Sequence, residues 1–177
     1  MTIFKEVTKL QQLNLVHVKK IDVCSKFTQF ESAAQLDPKD RELLDAAREA
    51  REKAYAPYSN FSVGAAVLLE NGVVVTGNNQ ENAAYPSGMC AERVATWSAL
   101  SNYPGEKILK VFITARSENR EVNRPVSPCG SCRQALAEYE IRQDQPIEIY
   151  FTGNSGSILK ASSVRDLLPY MFDNTLL

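Results

Sequence analysis

Three of the four cysteines in this 177-residue sequence stand in two short segments, Cys90-Ala91-Glu92 and Pro128-Cys129-Gly130-Ser131-Cys132. This grouping constrains the fold more than any other feature, because a metal shared by the two segments requires them to meet in space. Three thiolates with one carboxylate beside them, Glu92, are what a catalytic zinc ion needs. Structural zinc normally closes its shell with four protein ligands, whereas catalytic zinc keeps one position open for water or substrate. The two segments therefore suggest an enzyme before they suggest a structural zinc module. The single histidine, His17, stands far from them and reads as a strand residue, since metal ligands are usually grouped in sequence. Cys24 reads as a small hydrophobe, buried or half-buried.

Bulk properties narrow the partners. The length fits one domain that can bury a core without disulfides. A formal net charge of -1 exerts no global pull on nucleic acid or anionic membranes, so a small substrate is favoured. No apolar run of signal-peptide length opens the chain, and no window approaches the roughly 18 apolar residues of a membrane span, which points to a cytoplasmic protein. In that reducing compartment, clustered cysteines read as metal-binding or catalytic.

Residues 1–36 read as an N-terminal extension to a domain at 37–177. Its loose alternation of apolar and polar residues at 15–18 and 21–27 suits one or two strands at a half-exposed sheet edge. Asp37-Pro38 is a helix start, with Asp37 as N-cap and Pro38 pre-set for the first turn. Leu43, Leu44, Ala47, Ala50 and Ala54 then recur at helical spacing, leaving the charged residues as a solvated face. The apolar run 61–69, the Asn71-Gly72 pair and the run 73–76 predict a hairpin whose two central residues both take positive φ.

Loop-forming residues at 77–88 deliver the chain to a mostly buried helix from Cys90 to about Asn102. A strand at 108–115, a helix from Cys129 to about Tyr139, a strand at 146–151 and a short final helix at 164–168 complete the chain. Strand and helix alternating in this way imply an α/β sandwich.

Cys129 and Cys132, three residues apart at a helix start, project from one turn and can share one metal. If the N-terminus opened by Cys90 meets theirs, the partial positive charges of both helices help to keep the thiolates ionised. Zinc with three thiolates carries a net charge of −1, and Arg93 is the natural group to offset it. Glu92, two residues after Cys90, can lie beside the metal without ligating it, take a proton from activated water and hand it to a substrate. The chemistry implied is hydrolytic. Two other readings fit the cysteines. Cys129-Gly130-Ser131-Cys132 alone matches a thioredoxin-like redox pair, although such a pair has no use for Cys90 followed by glutamate. A structural zinc site lacks a fourth clustered ligand.

A ligand-Ala-Glu followed by Pro-Cys-x-x-Cys resembles the zinc-dependent nucleobase deaminases. With cysteine as first ligand, the pattern is similar to the free-nucleoside cytidine deaminases. The resemblance extends through the segments 61–66, 79–83, Tyr85-Pro86, 90–93 and 128–134, and covers about residues 40 to 172. It implies a three-layer α/β/α sandwich with a mixed central sheet, and one Zn2+ per subunit held by Cys90, Cys129 and Cys132. Glu92 is then the proton carrier in deamination of cytidine and deoxycytidine, within pyrimidine salvage. The resemblance also implies that Asn79 and Glu81 bind the ribose hydroxyls, that Phe61 packs on the pyrimidine, and that the Ala91 backbone with Glu92 reads the base edge. Phe172 would reach a neighbouring subunit's pocket in a homotetramer. A deaminase of a nucleoside antibiotic such as blasticidin S would share the zinc site. A polynucleotide-binding editor, or a silent binding subunit, is the alternative from another functional class.

Overall fold

The computed structural model of the chain describes residues 19–174. His17 and the alternating run at 15–18 lie outside the described residues. In chain order the elements are β1 (Phe27–Phe30), α1 (Pro38–Arg51), β2 (Phe61–Leu69), β3 (Val74–Asn78), α2 (Ala91–Asn102), β4 (Ile108–Ser117), α3 (Gly130–Gln143), β5 (Glu148–Thr152) and β6 (Ile158–Ala161). Six strands form one sheet in the order β1-β6-β5-β4-β2-β3. The β4–β5 pair is parallel, with α3 as the crossover that parallel pairing requires, and the other pairs are antiparallel.

The sheet has helices on both faces, which makes three layers. Successive side chains of a strand point to opposite faces. Thus Ala66, Phe112 and Tyr150 pack with Leu43, Leu44 and Ala47 of α1. Ala65, Val67, Val111, Ile113 and Ile149 pack on the other face with Ala91, Ala95 and Ala99 of α2 and Leu136 and Ala137 of α3. The central strands are covered twice, which explains their unbroken apolar runs.

Asp37 caps α1 as its sequence predicts, its carboxylate accepting from the Asp40 amide at 2.9 Å, and Pro38 opens the first turn. Two charged residues of α1 are not solvated. Asp40 is buried and pairs with Lys110 Nζ at 2.6 Å, and buried Arg51 donates from Nη1 to Thr114 Oγ1 at 2.9 Å. Sequence periodicity could not separate these from the outer face, because their partners come from β4. Ala54 lies beyond the end of the helix at Arg51.

The β2–β3 hairpin forms, with a different turn from the one expected. Gly72 takes φ 86 while Asn71 does not enter the positive-φ region. Leu69 N donates to Val73 O and Gly72 N to Leu69 O, both at 2.9 Å, so the loop holds Glu70, Asn71 and Gly72. A three-residue loop needs positive φ only at its last residue.

Of the extension, Phe27–Phe30 is a strand, paired antiparallel with β6 at the sheet edge, while residues 19–26 form no strand. Cys24 is exposed and not buried, because it precedes β1 where no layer covers the chain. The expected final helix is a single 3-10 turn, Val164–Asp166, capped by Ser163 Oγ. Pro169 disfavours a helical conformation at Leu168 and stops it there.

Candidate metal centre and substrate cavity

The N-termini of α2 and α3 converge on one side of the sheet. Cys90 is the N-cap of α2 and Cys129 the N-cap of α3, with Cys132 in the first turn of α3. Neither N-cap side chain accepts from the backbone of its own helix, which leaves both sulfurs free to face each other. The three Sγ atoms lie within 4.8 Å of one another, Cys90 to Cys129 at 3.9 Å and Cys129 to Cys132 at 3.5 Å. Tetrahedral zinc with Zn–S bonds of about 2.3 Å holds its sulfurs about 3.8 Å apart. The donor set and its spacing therefore fit one zinc ion per chain. Among the described residues no further histidine, cysteine or carboxylate joins the group, so one coordination position stays open.

The charges around the sulfurs are arranged unevenly. Arg93 Nη2 donates to Cys90 Sγ at 3.5 Å, and its guanidinium lies 5.6 Å from the Trp97 ring centroid. Hydrogen bonding from the Cys132 thiol, opposed by burial and reinforced by Arg93, brings Cys90 down to about 5. Cys132, bonded to that thiolate and buried, is pushed in the opposite direction. Ionisation is thus favoured at Cys90, the sulfur against which Arg93, the cation that the sequence suggests, is placed.

Glu92, in the first turn of α2, is only 5% exposed. Burial pushes its carboxyl above the usual range, and the charge on Cys90 adds to the effect.

A cavity of about 890 Å³ opens over the sulfurs, lined in part by Phe61, Asn79, Glu81, Ala91, Glu92 and Cys129. With Cys90 and Arg93, which also line it, eight of the ten expected site residues therefore surround one space. Phe61 stands at the start of β2, and Asn79 and Glu81 follow β3 directly. Both ends of the Asn79 side chain are engaged with β2: Oδ1 accepts from Val63 N at 2.7 Å and Nδ2 donates to Phe61 O at 2.9 Å. The Glu81 carboxylate accepts from Tyr58 N at 3.0 Å and from Ser59 N at 3.3 Å, and from the Ser59 hydroxyl. Burial raises its pKa, but these hydrogen bonds outweigh that and hold it below the usual carboxylate range.

Tyr58 and Ser59, which anchor Glu81 and line the cavity, were not anticipated as site residues. Their signal was the turn-forming Ala56-Pro57-Tyr58-Ser59 run immediately before the strand that carries Phe61. Phe172 is 58% exposed and does not line its own chain's cavity; its carbonyl accepts from Gln134 Nε2 at 2.9 Å.

Residues 37–144 match a family described as the cytidine and deoxycytidylate deaminase zinc-binding region. A cytidine deaminase from Sporosarcina psychrophila is 41% identical over 131 residues, which cover 73% of this chain and 88% of that protein. The crystal structure of a cytidine deaminase from Burkholderia pseudomallei shares the fold with a TM-score of 0.64 at 40% identity, covering 74% of this chain and 97% of that one. A blasticidin-S deaminase from Bacillus cereus is more distant, 28% identical over 141 residues that cover 77% of this chain and 94% of that protein.

Proposed function

Because the chain belongs to the cytidine and deoxycytidylate deaminase family, we propose that it hydrolyses the exocyclic C4 amine of cytidine and deoxycytidine, yielding the uridines and ammonia. The observation that carries this reading is the placement of three zinc-spaced sulfurs and a buried carboxyl, Glu92, at the wall of one nucleoside-sized cavity.

Cys90, Cys129 and Cys132 would hold a zinc ion, which would supply the Lewis acidity that makes water a nucleophile at neutral pH. The protein's own groups move the protons. Glu92 accepts a proton from the attacking water and delivers it to the cytosine ring nitrogen as oxygen adds to C4. The ionised carboxylate then takes the proton of the hydroxyl now on C4 and passes it to the amine, so that the C4–O bond becomes the carbonyl as the C4–N bond breaks and ammonia leaves. A carboxyl whose neutral form is favoured by burial suits a group that must hold a proton as well as take one.

Phe61 packs on the pyrimidine and the Ala91 backbone reads the base edge beside Glu92. Glu81, held ionised, accepts from a ribose hydroxyl, and Asn79, which holds the start of β2 with one donor and one acceptor, keeps its second Nδ2 hydrogen and second Oδ1 lone pair for the ribose. Phe172 completes the site of a neighbouring subunit in a homotetramer; its exposure and its absence from the lining of its own chain's cavity support that role. The enzyme acts in the cytoplasm in pyrimidine salvage. No helix among the described residues is long and apolar enough to cross a membrane.

Glu92→Ala tests the reading. The variant should keep its fold and its zinc while losing turnover by about 10²–10⁴-fold or more. Near-normal release of ammonia from cytidine by this variant would sink the assignment. The distant likeness to a blasticidin-S deaminase is addressed by presenting both substrates to the parent protein: cytidine should be the better one.

A further inference from the structure

Arg133, one residue beyond Cys132, donates to three acceptors on two separate segments. Nε reaches the Pro128 carbonyl at 2.8 Å, Nη1 the Leu167 carbonyl at 2.8 Å and Nη2 Ser127 Oγ at 3.0 Å. Ser127 and Pro128 belong to the loop that delivers Cys129, and Leu167 begins the C-terminal tail. A cation near a helix N-terminus is opposed by the helix dipole, so local helix energetics do not explain an arginine here. A planar fork of directed donors can hold three diverging acceptors at once, which the point charge of lysine cannot. The adjacent Gln134 grips the far end of the same tail through the Phe172 carbonyl.

We infer that Arg133 is a positioning residue that locks the Cys129 loop against the tail and thereby keeps the metal in place. The inference rests on the zinc reading of the site. Cys129 is exposed and sits at the helix N-cap, so no packing layer holds its sulfur. The S···S distances of 3.5 and 3.9 Å lie within about 0.3 Å of those in tetrahedral zinc. Any displacement of Pro128 carries Cys129 with it and spoils that match. The side chain therefore acts on the metal through the backbone of the loop, without touching substrate or ligand sulfur.

The test follows zinc release from the zinc-loaded protein into excess chelator with a colorimetric zinc indicator, at a temperature where circular dichroism shows every variant folded. Arg133→Lys should release zinc about 10–100-fold faster than the parent, as outer partners of metal ligands generally do when replaced. Ser127→Ala, which removes one acceptor of three, should accelerate release by a smaller factor, and Gln134→Ala should release at the parent rate. Proteolysis of the tail around Tyr170 should quicken in Arg133→Lys. Release by both Arg133→Lys and Ser127→Ala within about twofold of the parent overturns the inference. So does a lowered thermal midpoint in Arg133→Lys with unchanged release, which is what a merely structural arginine would give. A parent that binds no zinc overturns the zinc reading and this inference together.

Discussion

Glu92 places an ionisable carboxyl where burial disfavours its charge, only 5% exposed and beside the negatively charged Cys90. Its folded-state pKa is raised, so its contribution to stability is complete below the unfolded pKa and is lost as the pH rises through the folded value. Glu92→Gln removes that loss. In zinc-free protein, the melting temperature of Glu92→Gln relative to the parent should increase between about pH 4 and about pH 8. A difference that stays constant with pH would show that the carboxyl is not held in the way described. The four residues at the centre, Cys90, Glu92, Cys129 and Cys132, were legible in the sequence because their chemistry lies in their spacing. Arg133 was not, because it acts on a backbone carbonyl 34 residues away at Leu167. The resemblance assigns Asn79 to the ribose; the anchoring of its amide to β2 through Val63 and Phe61 was not readable, because those partners lie 16 and 18 residues away.

At the scale of elements, the site depends on two helix starts held at one distance, and β3 sets the position of one of them. A Cβ added at Gly77 would lie 2.5 Å from Ala95 N and 2.7 Å from Ala91 O, so the backbone of α2 rests directly on β3. Gly77→Ala should push α2 outward, destabilise the protein by about 1–3 kcal/mol in chemical denaturation, and lower turnover because Cys90 and Glu92 move with the helix. Gly72→Ala is the contrasting case. Its φ of 86 strains any side chain, but nothing lies within 4 Å, so it should cost about 1 kcal/mol and leave turnover unchanged. Equal losses of activity in the two variants would contradict this account of α2. Helix starts were readable from caps and apolar spacing, whereas the hairpin's turn type was not. The β2–β3 register fixes the loop at Glu70, Asn71 and Gly72, and register is a property of two strands together.

At the scale of the whole molecule, alternation of strands and helices pointed correctly to an α/β sandwich. The order of strands was not readable, nor was the attachment of β1 to β6, since edge pairing of a short strand leaves little pattern in sequence. The three layers serve the site by fixing both helix starts on one face of the sheet, above a cavity of about 890 Å³. The central claim, a single zinc at three cysteines working with Glu92 on cytidine, is tested most directly on the purified parent protein. Zinc per chain is measured together with the ultraviolet change as cytidine becomes uridine, before and after chelation. The account predicts one zinc per chain, deamination that disappears with the metal, and recovery when zinc is returned. One zinc per chain without loss of cytidine, or full deamination by the zinc-free protein, would contradict it.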